Sequence, residues 1–110
     1  MNGNPVLGWV LTLTAVFACA ALAAQAQTES SIQRGRDVAQ RFCSGCHAMD
    51  GAPSVTFQGV EVPGFRAIAG RGWSGEQLRA FILTPHRPMP ATPLPLSEVQ
   101  ALSDYIASLQ

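Results

Sequence analysis

Cys43, Cys46 and His47 stand in the run Cys43-Ser44-Gly45-Cys46-His47. The pattern is C-x-x-C-H, in which two thiols can add to the two vinyl groups of haem while the following imidazole reaches the iron. Thiols at positions i and i+3 of a helical turn share one face, so both can meet one porphyrin edge. Other readings of the pentapeptide ask for partners that the chain does not offer. A thioredoxin-like C-x-x-C needs a strand–helix–strand setting, and no such pattern surrounds it. A zinc site needs about four ligands, and beyond the motif only Met49, His86 and Met89 remain as soft or imidazole donors. The cofactor expected is one covalently bound haem c, held by Cys43, Cys46 and His47.

A low-spin iron used for electron transfer needs a second axial ligand, and a Met thioether in that place favours reduced iron and raises the potential. Met1 is the initiator, and Met49 lies too close to His47 to cross to the opposite haem face. Met89 lies far downstream in Arg87-Pro88-Met89-Pro90, where prolines restrict the backbone and lower the entropic cost of holding a sulfur in place. Met89 is therefore the expected sixth ligand. His86, on the same loop, is the alternative and would give bis-His ligation.

These residues must be positioned by a small body. The chain has 110 residues, enough for one domain. From Pro5 to Ala26 no side chain is charged, and Ala21-Leu22-Ala23-Ala24-Gln25-Ala26 offers A-x-A-like cleavage sites. Residues 1–26 read as a secretory signal and residues 27–110 as the working domain, placing the protein in the bacterial periplasm. The leading Met1-Asn2-Gly3-Asn4 carries no Lys or Arg, and the apolar run approaches membrane-spanning length, so an uncleaved anchor is the competing expectation. Val16-Phe17-Ala18-Cys19 loosely resembles a lipoprotein processing site, with Cys19 as the lipidated residue. Membrane attachment is expected only if the segment is retained or Cys19 is lipidated.

So short a mature chain cannot easily bury a sufficient core alone. The haem is expected to complete that core, leaving the haem-free chain partly unfolded. Seven basic residues, all Arg, balance seven acidic ones. No basic run suggests nucleic acid, and without Lys a Lys-ringed docking face is excluded.

Ile32, Gly35, Val38, Ala39 and Phe42 recur at helical spacing and run into the pentapeptide, after a polar entry with capping residues from Thr28 to Ser31. Met49 to Pro63 reads as loop, with Phe57, Val60 and Val62 available to line the haem. Phe65, Ile68 and Ala69 suggest a short helical turn ended by Gly70 and Gly72. Ser74 with Gln77, and Ser97 with Gln100, read as capping boxes opening two further helices. Thr84-Pro85 stops the first of them. His86 to Pro95 is a proline-stiffened loop. The stripe Val99, Leu102, Tyr105, Ile106 and Leu109 makes the last helix. The fold class expected is all-α, with three to four short helices wrapped around one haem.

The helix leading into Cys43-Ser44-Gly45-Cys46-His47-Ala48, the Pro88-Met89-Pro90 loop and the closing Asp104-Tyr105-Ile106 helix together resemble the small bacterial class I monohaem cytochromes c. The resemblance covers about Ile32 to Leu109. It implies a cytochrome c fold whose first and last helices cross steeply, with Gly35 against Tyr105. It implies a proline carbonyl accepting the Nδ1–H of His47, from Pro53 or Pro63, and haem propionates within reach of Arg71 and Trp73. It also implies an electron carrier rather than an enzyme, exchanging electrons with a redox protein such as a dehydrogenase, an oxidase or a bc-type complex. Two other readings stay open: a dedicated haem subunit of a dehydrogenase or oxidase complex, and an open-site gas-binding or peroxidase-like haem protein.

Overall fold

The computed structural model describes residues 5–49, 51–84 and 86–110, with side chains from residue 17 onward. Asp50, Pro85 and Met1-Asn2-Gly3-Asn4, which entered the loop, helix-stop and export-signal readings, lie outside the described residues. The elements run α1 Pro5–Phe42, β1 Ser54–Phe57, β2 Val60–Pro63, α2 Phe65–Ala69, α3 Gly75–Leu83 and α4 Leu96–Ala107. The protein is mostly helical, as its periodicity predicts, with one small antiparallel hairpin added.

Helix α1 is longer than the amphipathic stretch predicts. No Pro or Gly interrupts the chain from Val10 to Arg34, and the Ala-rich segment is a strong helix former. The Thr28–Ser31 cap is not formed. Thr28 Oγ1 donates back to the Ala24 carbonyl at 3.1 Å, and Ser31 Oγ donates to Asp104 Oδ2 at 2.6 Å. Residues 17–30 are exposed, and burial of the described side chains begins at Ser31.

The core lies where α1 crosses α4. Val38 and Ala39 pack with Leu102, Tyr105 and Ile106, and with Phe65, Ala69 and Leu78. Large apolar side chains buried this way each contribute about 1.5–3 kcal/mol relative to exposure. Gly35 makes the crossing possible. A Cβ there would overlap the Ala101 carbonyl and stand 2.8 Å from Tyr105 Cβ. Tyr105 is thus one partner of Gly35, and the backbone of Ala101 is the other. The Ser31–Asp104 bond ties the two helices further, and the second oxygen of Asp104 accepts from Gln100 Nε2 of its own helix at 2.7 Å.

The Ser74–Gln77 capping box is present, with Gln77 N–H donating to Ser74 Oγ at 3.2 Å and Ser74 N–H to Gln77 Oε1 at 2.8 Å. The Ser97–Gln100 box is not. Helix α4 starts two residues earlier, with Pro95 as its N-cap, and the Pro95 carbonyl accepts from Glu98 and Val99 N–H at 2.9 and 3.0 Å. Gln100 instead serves Asp104 and accepts from Arg79 Nη1 at 3.0 Å. Ser103 is fully buried and donates to the Gly75 carbonyl at 3.0 Å, fixing α4 against the start of α3.

The hairpin occupies part of the segment read as loop. Phe57 pairs with Val60, leaving Gln58 and Gly59 as a two-residue turn with φ of 50° and 78°. Both values are positive, as a type I′ hairpin turn requires. The His86–Pro95 segment is neither helix nor strand, in keeping with its prolines.

Candidate functional site

The pentapeptide continues the last turn of α1. Cys43 N–H donates to the Ala39 carbonyl at 2.9 Å, and the Cys43 carbonyl accepts from Cys46 and His47 N–H at 3.1 and 2.9 Å. The chain therefore keeps turning through the motif, and both cysteines are free thiols. Burial, with Cys46 nearby adding to it, pushes the Cys43 thiol up from its ordinary value.

His47 is nearly buried and its orientation is fixed. Its Nδ1 lies 2.8 Å from the Pro63 carbonyl. A carbonyl can only accept, so Nδ1 carries the proton and Nε2 holds the lone pair. Between the two proline candidates the structure selects Pro63. The Pro53 carbonyl is taken by Gly64 N–H at 2.8 Å. The hairpin brings Pro63 into place, and Gly64 permits the close return, because a Cβ there would overlap the Ala52 carbonyl. Phe65 supports the imidazole at 5.4 Å between ring centroids, and Tyr105 supports Phe65 edge-on at 5.9 Å. Phe65 N–H also donates to the Ala48 carbonyl at 3.0 Å. Sequence reasoning missed this prop. Its only signal was an apolar residue opening a short helix.

Two adjoining cavities of about 190 and 210 Å³ meet at this site. Cys43, His47, Pro63, His86 and Met89 line both. The first extends between Cys46 and the hairpin residues Phe57, Val60 and Val62. The second extends to Arg71, Trp73, Leu78, Phe81 and Ile82. Together they fall in the range for ligand clefts, roughly 300–1,000 Å³. Arg71 and Trp73 lie on one wall, with the guanidinium 5.4 Å from the indole centroid. The His86 ring lies tilted against Phe81 at 4.5 Å between centroids, and Phe81 tilted against Trp73 at 4.8 Å. His86 Nδ1 is buried and has no hydrogen-bond partner among the described residues.

This cleft fits a haem. It offers two free thiols on one turn, an oriented imidazole with a lone pair at Nε2, a thioether on the same cavity walls, and apolar surfaces between them. Among the described residues no group of three or more His, Cys, Asp or Glu side chains could hold a bare metal ion. Four of the expected residues, Cys43, Cys46, His47 and Met89, are thus brought to one cleft.

Residues 30–106 match the family described as cytochrome c oxidase, cbb3-type, subunit III. The chain is also 34% identical over 97 residues to cytochrome c-552 of Bradyrhizobium diazoefficiens, covering 84% of this chain and 91% of that protein. No solved structure matches it.

Proposed function

The chain belongs to the small monohaem c-type cytochromes, and on that footing we propose that it is a one-electron carrier working outside the bacterial cytoplasmic membrane. The family carries covalently bound haem c, which supplies a one-electron change between two oxidation states of its iron. Cys43 and Cys46 are the residues that anchor it. His47 is the proximal ligand through Nε2, and Met89 is the distal one.

The observation that carries this reading is the 2.8 Å contact between His47 Nδ1 and the Pro63 carbonyl. It commits one ring nitrogen and leaves the other for the metal, inside the cleft shared with Met89. Such a bond fixes the ring and raises the basicity of the ligand. The apolar walls keep water from the site, so little solvent reorganises when the charge changes. Residues 1–26 would serve as the export signal. The exposure of residues 17–30 suits cleavage near Gln27.

The test is the optical spectrum of the oxidised, haem-loaded protein. A thioether-to-iron charge-transfer band lost in Met89→Ala, with the ferrous wild type slow to take up carbon monoxide, supports the assignment. A wild type without the band, binding carbon monoxide rapidly and completely, removes it in favour of an open-site haem protein.

The match to an oxidase subunit family favours a second reading, in which the chain is a resident electron-transfer subunit of an oxidase. Native purification separates the two: a free monomer supports the mobile carrier, and a stable stoichiometric complex supports the subunit.

A further inference from the structure

We propose that His86 is a reserve axial ligand, able to take the iron through its Nε2 when the Met89 sulfur is lost. This rests on the reading of Met89 as the resident ligand. His86 belongs to the small set that lines both cavities, alongside His47 and Met89. It stands three positions before Met89 on the same loop, so one segment of backbone carries two donors to one place. Thioether and imidazole are both established axial ligands of haem iron, and imidazole is the commonest metal ligand among side chains.

The surroundings of His86 explain why it waits. A metal-bound histidine is normally fixed by a hydrogen bond from its second nitrogen. The second nitrogen here, Nδ1, is buried with no such partner among the described residues. A neutral His86 binding through Nε2 would keep an N–H at Nδ1 that none of these accepts, which weakens it against a well-placed thioether. With Nδ1 shut in, Nε2 is the nitrogen left to meet a ligand. The ring is held by its tilted contact with Phe81, at 4.5 Å and 32°. A ring contact is less directional than a hydrogen bond, and the ring can leave it without stranding a polar group. The exchange breaks one iron–sulfur bond and forms one iron–nitrogen bond, and no electron is gained or lost. Its consequence is an iron that stays six-coordinate and closed to small molecules.

Three full-length, haem-loaded proteins test this: wild type, Met89→Ala, and Met89→Ala with His86→Phe. Met89→Ala should lose the thioether band yet stay low-spin, with the near-infrared and paramagnetic-resonance signature of two axial imidazoles. The double variant should turn high-spin and bind carbon monoxide at least tenfold faster than Met89→Ala. If His86→Phe prevents folding in that background, His86→Gln replaces it. Met89→Ala that is high-spin, or a double variant that remains low-spin, overturns the proposal. A wild type without the thioether band instead defeats the assignment of Met89 itself, and the reserve role falls with it.

Discussion

The Pro63 carbonyl accepts from Nδ1 of His47 across sixteen residues of chain, at 2.8 Å. The imidazole is thereby steered by the end of a hairpin strand rather than by its own helix. The close return at Gly64 sets that geometry.

Gly64→Ala should disturb it. The new Cβ meets the Ala52 carbonyl and stands 3.3 Å from Ala48 Cβ, so the end of β2 must shift. Overpacking of this kind costs about 1–3 kcal/mol. With His47 as the proposed iron ligand, a lengthened bond to Pro63 would make the imidazole a weaker electron donor to ferric iron. Redox titration should show the midpoint potential of Gly64→Ala above that of the wild type, and thermal melts should show the lower stability.

Gly35→Ala should be costly although it replaces a poor helix former with the best one. Helix propensity alone predicts a gain of about 1 kcal/mol. The overlap with the Ala101 carbonyl and the approach to Tyr105 Cβ reverse the sign, for a net loss of about 1–3 kcal/mol. Denaturant unfolding of the haem-loaded protein measures it, and a stabilised variant would show that the two helices can separate freely.

The Cys43 thiol is raised by burial and by Cys46. A raised value means less thiolate at any given pH, so in that part of the haem-free population which keeps Cys43 buried it should alkylate more slowly than a free cysteine near neutrality. The deficit should close as pH rises past the raised value. Mass-spectrometric mapping of iodoacetamide adducts against pH checks this, with a short cysteine peptide as reference. In denaturant, where burial is lost, the difference should vanish.

A chain beginning at Gln27 should melt as the full chain does, within about 0.5 kcal/mol, the range for surface changes away from packed features. Residues 17–30 are exposed, and the contacts that hold α1 to α4 begin at Ser31. Calorimetry of the two haem-loaded forms makes the comparison.

The haem pentapeptide was legible because covalent attachment demands a fixed spacing that chance seldom supplies. The final helix was legible from the period of Val99, Leu102, Tyr105 and Ile106, yet its start was misread. Ser97 and Gln100 have the right spacing for a cap, but the Pro95 carbonyl already closes the first turn. The hairpin was hidden because its turn places Gln58 at positive φ, where Gly or Asn gives the usual signal. The choice between Pro53 and Pro63 lay beyond spacing, since it depends on that hairpin folding back. The role of Phe65 was equally hidden, because a ring packed between His47 and Tyr105 is a tertiary fact without a local pattern.

The imidazole rests on a carbonyl, on Phe65 and, through it, on the last helix. Met89 hangs from a proline-rich strap between α3 and α4. Warming should thus loosen the molecule from a single side. With His47 and Met89 as the proposed ligands, the sulfur should let go first while the opposite hold keeps its posture, so the pigment stays seated and recovery on cooling needs the strap to bring Met89 back in place of His86.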